Sequence, residues 1–177
     1  MNTAADAIVS RLRADDPCAA ASGLLFLEAQ LLDRKAWKEW LSLYAEKCVY
    51  WVPAWRDEFD ATDDPDTEVS LIYHADRYGL EERVARIQSR KSITAMPLPR
   101  TMHAISNVRA IETDVGRLEG DACFTVHVYD PRTLRQHVNA GRYEFRLRLT
   151  DGHWRFERKK ITLINDNVPT ILDFYSL

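Results

Sequence analysis

The sequence predicts an α+β fold, with N-terminal helices packed inside a strongly bent, mainly antiparallel sheet to give a cone. Three observations carry this. Apolar residues recur at helical spacing through the first part of the chain. From Thr101 onward the period changes to two, the mark of half-buried strands. In the last long strand the apolar positions switch parity, from Trp154 and Phe156 to Ile161 and Leu163. Alternation cannot survive that switch without a bulge or sharp bend, predicted at residues 158–160.

The elements follow in order. Residues 1–16 read as an N-terminal arm and 17–177 as a single α+β domain. Asp16-Pro17 is a helix start, because Asp caps and Pro suits the first helical position. The helix carries an apolar stripe of Leu24, Leu27, Leu31 and Leu32. Glu28 lies inside the stripe, where a carboxylate is costly unless paired. A structural ion pair with an arginine from elsewhere is one reading of it, and a catalytic acid the other. Asp33 is placed to cap a second helix, whose buried face would be Trp37, Trp40, Leu41 and Tyr44.

Residues 48–53, rich in β-branched and aromatic side chains, read as a strand, and residues 69–75 as another. Asp76 caps a helix reaching Ser89, with Leu80, Val84 and Ile87 on one face. Residues 101–165 form a four-stranded meander, its turns at Asp114-Val115-Gly116, Asp130-Pro131 and Asp151-Gly152. A short strand over residues 171–175 is expected to complete the sheet.

Composition narrows the function. The chain has 177 residues, 46% hydrophobic and 29% charged, with a net charge of −3. A nucleic-acid binder would show a basic balance. Cys18, Cys48 and Cys123 are sparse and odd in number, so they read as free thiols in a reducing compartment. The first residues lack the apolar core of a signal peptide, and no window suits a membrane span, which places the chain in the cytoplasm.

No phosphate loop, nucleophile elbow or dinucleotide fingerprint occurs. No Cys-x-His or Cys-x-x-His pair offers ligands to a Rieske cluster. A weak metal signal remains in His74-Ala75-Asp76 with a distant His127 or His153, although Asp76 is better used as a cap. An acid–base alternative would use His74, His103 and Asp33, as in a stand-alone dehydratase or isomerase. Against it, Trp37, Trp40, Tyr44, Trp51, Tyr143 and Phe145 would fill the pocket.

Charge is uneven. Residues 132–160 hold Arg132, Arg135, Arg142, Arg146, Arg148, Arg155, Arg158, Lys159 and Lys160, while residues 57–68 are acidic. The acidic loop is expected to be solvated or to face a partner, and the two regions to set register in an assembly.

Several stretches resemble one family. They are Phe26-Leu27-Glu28-Ala29-Gln30-Leu31-Leu32-Asp33 with residues 37–43 behind it, Tyr50-Trp51-Val52-Pro53, and Gly79-Leu80-Glu81-Glu82-Arg83-Val84-Ala85-Arg86-Ile87. Pro99-Arg100-Thr101, His103, Ser106-Asn107-Val108 and Lys159-Lys160-Ile161-Thr162-Leu163-Ile164-Asn165-Asp166 complete the set. In order and spacing they resemble the small (beta) subunits of Rieske-type aromatic-ring-hydroxylating dioxygenases, in the benzoate, toluate, anthranilate and halobenzoate group.

The resemblance implies a cone-like fold of the nuclear transport factor 2 and scytalone dehydratase type. It implies a structural and assembly subunit, with no catalytic, cofactor-binding or metal residue of its own. The partner it implies is a large subunit, three of each, holding a Rieske [2Fe-2S] cluster and mononuclear Fe(II), supplied with electrons from NADH by a separate reductase. Trp51, Trp55, Arg56, Arg100, Lys160, Asn165 and Asp166 are the candidate subunit contacts.

Overall fold

Asp16 opens the first helix of the computed structural model, which describes residues 16–89, 97–165 and 172–177. Its carboxylate accepts from the Cys18 and Ala19 amides at 2.9 and 3.2 Å, with Pro17 at the first helical position. The helix, α1 (Pro17–Asp33), buries Leu24, Leu25, Leu31 and Leu32. The arm proposed for residues 1–16 falls outside the described residues except for Asp16.

The second helix, α2 (Trp37–Ser42), is shorter than the pattern suggested, and Asp33 does not cap it. The chain turns at Lys35 with φ 58°, and Ala36 precedes the helix without a side-chain cap. Tyr44 is not helical. The Phe156 amide takes the Leu43 carbonyl at 2.8 Å, and Tyr44 pairs with Phe156 as the start of β1 (Tyr44–Pro53). The buried aromatic face at Trp37 and Trp40 is nevertheless kept, because Tyr44 points into the same core from the strand.

Strand β2 (Ser70–His74) leads into α3 (Arg77–Gln88), where the Asp76 carboxylate accepts from the Gly79 amide at 3.2 Å. Strands β3 (Arg100–Asp114), β4 (Arg117–Asp130), β5 (Arg135–Thr150) and β6 (His153–Leu163) make the antiparallel meander. Among the described residues six strands run in the order β2-β1-β6-β5-β4-β3, and of these neighbours only β1 and β6 are parallel. The Asp151-Gly152 turn has φ of 53° and 76°, the double positive φ that a two-residue hairpin with the sheet's twist requires.

The parity switch in β6 is resolved by one extra residue. Arg146 faces Arg158 and Leu147 faces Phe156, so Glu157 is the bulge, one position before the predicted stretch. A second bulge lies in β3, where Ser106 and Arg109 face Cys123 and Asp121 around Asn107, itself at φ 54°. Alternation past the bulges holds: Leu118, Ala122, Phe124, Val126 and Val128 are buried, as are Tyr143, Phe145 and Leu147. The curved inner face wraps around α1 and α2, and the buried apolar side chains form one cluster that leaves out Ala29 and, contrary to expectation, Trp51.

The final strand expected at residues 171–175 is absent as such. Ile171 lies outside the described residues, and Phe174–Ser176 is a 3-10 turn. Asp173 caps it, and Ser176 answers with its own side chain, so local groups satisfy the backbone that a sheet ladder would have used.

Candidate functional site

Two groups of polar residues stand out, one inside the cone and one on its outer rim. Inside, Glu28 does have an ionic partner, but it is a lysine rather than the expected arginine. Lys159 Nζ lies 2.6 Å from Glu28 Oε2, with both side chains at most 2% exposed. Tyr44 donates its hydroxyl to the other carboxylate oxygen. The ammonium also sits 3.8 Å from the Tyr143 ring centroid. Burial pushes the Lys159 ammonium below its ordinary range against the pull of Glu28. Burial, then Glu28, pushes the Tyr44 phenol up.

Asp33 and His103 are brought together. Asp33 ends α1, and its carboxylate lies 2.6 Å from His103 Nδ1, accepts from the His103 amide at 3.0 Å and from the Thr101 hydroxyl at 2.8 Å. Burial acts to raise the Asp33 carboxyl, but the hydrogen bonds from His103 outweigh it and hold it below its ordinary value. The His103 side chain is 0% exposed, and its Nε2 meets the Leu177 carbonyl oxygen at 3.1 Å. The imidazole therefore faces protein groups at both nitrogens.

His74 is spent elsewhere. Its Nε2 accepts from Arg83 Nε at 2.8 Å, and burial followed by the Arg83 charge holds the imidazole below its ordinary value. Gly79 makes room for the ring, since a Cβ there would lie 2.2 Å from His74 Nδ1. Arg83 also pairs with Asp173 at 3.0 Å, and Arg86 reaches the same carboxylate at 3.4 Å. Asp76 serves as the α3 cap, as expected. Among the described residues no three His, Cys, Asp or Glu side chains converge as a metal donor set.

The rim candidates are placed as follows. Trp51 on β1 is buried, donates to Ser70 Oγ at 2.9 Å, and lies under Lys160 and Arg158, whose charged groups are 4.9 and 5.9 Å from its ring centroid. Lys160 also meets Glu144 at 3.3 Å. Trp55 donates to the Leu163 carbonyl at 2.8 Å. Asn165 accepts from the Ala140 amide at 3.2 Å and donates to Asn139 at 3.3 Å. Trp51, Trp55, Lys160 and Asn165 are thus grouped by the pairing of β1 with β6 and the end of β6. Arg100 lies apart at the start of the edge strand β3, 5.8 Å from the Tyr129 ring centroid. Asp166 lies outside the described residues.

Arg56 organises the acidic loop. It reaches Glu68 at 2.5 Å and Asp63 at 3.2 Å. The Asp63 and Asp64 amides donate to the other Glu68 oxygen at 2.8 and 3.1 Å, and these bonds with Arg56 pull the Glu68 carboxyl down to about 2. Much of the negative charge is therefore used to fold the loop on itself.

Sequence reasoning named Lys159 only within the basic run and the family stretch, not as a buried partner, and did not name Asp173 or Asn139. Lys159 was legible in part: it shares the odd parity of Ile161 and Leu163, and so faces inward once the bulge is placed. Nothing local marked Asp173 or Asn139.

Inside the cone, Glu28 is thus tied to Lys159, Asp33 to His103 and His74 to Arg83. The family described as ring hydroxylating beta subunit matches residues 27–170. The chain belongs to that family. It is 38% identical over 151 residues to the small subunit of 2-halobenzoate 1,2-dioxygenase from Burkholderia cepacia, covering 85% of this chain and 90% of that protein. The crystal structure of the beta subunit of benzoate 1,2-dioxygenase from Burkholderia mallei superposes with a TM-score of 0.75 at 29% identity, covering 90% and 96% of the two chains. A protein provisionally named a scytalone dehydratase, from Novosphingobium aromaticivorans, shares the fold, with a TM-score of 0.64 at 15% identity over 86% and 88% of the chains. The expected cone fold and family are therefore correct, and the stand-alone dehydratase or isomerase is not favoured.

Proposed function

We propose that this chain is the assembly subunit of a dioxygenase that adds dioxygen to an aromatic carboxylic acid. The observation that carries the reading is the family match across residues 27–170, beside which Glu28 is paired with Lys159 and Asp33 with His103. The oxygen chemistry belongs to a large subunit holding a Rieske [2Fe-2S] cluster and mononuclear Fe(II). A separate reductase passes electrons from NADH. Three copies of each chain form the complex, in the cytoplasm.

The rim around Trp51, Trp55, Lys160 and Asn165 is the contact surface of this reading. It combines indoles, a cation and the end of a strand, the residue types that anchor interfaces. Arg56 holds the neighbouring loop in shape. Arg100, on the opposite edge strand, is a second contact point. Asp166, also a contact candidate, lies outside the described residues.

The test is co-expression with the large subunit of an aromatic-acid dioxygenase from the same source, followed by native mass measurement and assay of iron and acid-labile sulfide. An equimolar complex carrying cluster and iron is expected, with the metals retained by the large chain. Trp55→Ala is expected to weaken that complex at least tenfold. A lone, inert chain that never captures a partner overturns the reading.

A further inference from the structure

The segment 172–177 occupies the inside of the cone in the manner of a ligand. The Phe174 ring stacks on Trp40 at 4.4 Å between centroids and 12° between planes, and meets Trp37 edge-on at 5.3 Å and 87°. The neighbouring Asp173 carboxylate is held by Arg83 at 3.0 Å and Arg86 at 3.4 Å. Two carbonyls of the segment are read by buried polar groups: Ser176 by Asn139 Nδ2 at 2.8 Å, and Leu177 by His103 Nε2 at 3.1 Å. Phe174 and Leu177 are fully buried.

The receiving surface belongs wholly to other elements. Trp37 and Trp40 come from α2, Arg83 and Arg86 from α3, His103 from β3 and Asn139 from β5. Its parts are a flat aromatic slot, a pair of guanidinium groups and inward hydrogen-bonding groups. One further group is unused: the Trp40 indole N–H is buried and has no partner among the described residues. An orphaned buried donor costs stability and is a ready contact for an acceptor. Arg86 is 62% exposed, so the guanidinium pair is the side of the site that opens to solvent.

We propose that the interior of the cone is a binding site for a planar aromatic carboxylate, and that residues 172–177 fill it as a built-in stand-in. The stacked slot takes the ring, and Arg83 with Arg86 takes the carboxylate in place of Asp173. Ligand and segment compete, so affinity in the intact chain is reduced by the fraction of time the segment is out. The proposal stands on the residues of this chain and does not depend on its oxygenase role.

The test uses the full-length chain with Asp173→Ala and Phe174→Ala combined, titrated with benzoate, phenylacetate and 3-phenylpropanoate beside the corresponding uncharged alcohols. Tryptophan fluorescence and melting temperature are read. At least one acid is expected to bind saturably and raise the melting temperature, at least tenfold more tightly than its alcohol and at least tenfold more tightly than in the unsubstituted chain. Adding Arg83→Ala is expected to remove the preference for acid over alcohol. If the double variant is unfolded alone, the acid is expected to restore its far-UV ellipticity and the alcohol is not. Equal binding of acid and alcohol would reduce the site to a plain cavity and overturn the proposal, as would a folded variant that binds neither, or an unfolded one that neither rescues.

Discussion

Glu28 and Lys159 illustrate how a single buried residue is decided. Each alone in an apolar interior would be untenable, and together they still forgo water, which the 2.6 Å contact and the Tyr44 hydroxyl only partly offset. Lys159→Met is therefore expected to cost about 3–5 kcal/mol by stranding the carboxylate. The double variant Glu28→Leu/Lys159→Met should recover most of that loss, measured by urea unfolding of all three chains. Additive losses would show that the pair is not coupled. His74 yields a pH prediction. Its folded value is lowered from 6.5 by burial and by Arg83, so the folded state prefers the neutral ring. The unfolded chain then binds the proton more readily, and the stabilising contribution is complete above 6.5 and lost as pH falls through the folded value. His74→Gln should flatten the fall in melting temperature below pH 6.5. An unchanged slope would assign the acid sensitivity to other groups, such as His137, whose ring burial also holds down. Cys48 is pushed up to about 12 by burial and should resist alkylation at neutral pH until the chain unfolds.

At the scale of elements, local chemistry explains starts and turns better than lengths. The α1 cap by Asp16 follows from two backbone bonds, and Asp16→Ala should cost about 1 kcal/mol in thermal unfolding. The Glu157 bulge reconciles two parities in one strand. Deleting Glu157 removes the extra residue and joins the two halves in one unbroken alternation, so Trp154, Phe156, Ile161 and Leu163 can all keep facing the core. Retained cooperative unfolding, followed by near-UV circular dichroism, is the expected result, and its loss would show that the bend supplied by the bulge is itself required. Periodicity failed at α2, which ends two residues before Tyr44 because β6 captures the Leu43 carbonyl. A helical pattern in sequence reports which residues are buried. It does not report that a distant strand will claim the backbone.

At the scale of the whole molecule, the two faces of β6 carry different contacts. Lys160 lies on the outer side of β6 against Trp51 and Glu144, whereas Lys159 beside it faces inward. Lys160→Glu should leave the isolated chain within roughly 1 kcal/mol of its original stability, since a half-exposed pair contributes little. It should nevertheless impair capture of the large subunit, because a like charge set beside Glu144 repels a complementary surface. A native-mass titration that finds unaltered assembly would remove Lys160 from the contact surface. The acidic loop and the basic strands, which looked like complementary faces in sequence, are partly self-neutralised. Arg56 consumes Glu68 and Asp63, and Arg146 and Lys160 find Glu119 and Glu144.

The sequence by itself determined what repeats within a few residues: the capped starts at Asp16 and Asp76, the double positive φ turn at Asp151-Gly152, the strand parity of β4 and β5, and the motif order that marks the family. These are set by neighbours along the chain, so they are written in spacing. Only the tertiary structure decided that Glu28 meets Lys159 rather than an arginine, that Asp33 turns from capping a helix to holding His103, and that residues 172–177 enter the cone instead of extending the sheet. Each of those pairings closes a long loop of chain, 131 residues between Glu28 and Lys159 and 70 between Asp33 and His103. No local period encodes them, because they follow from how the bent sheet wraps its helices and which buried polar groups are left to be satisfied.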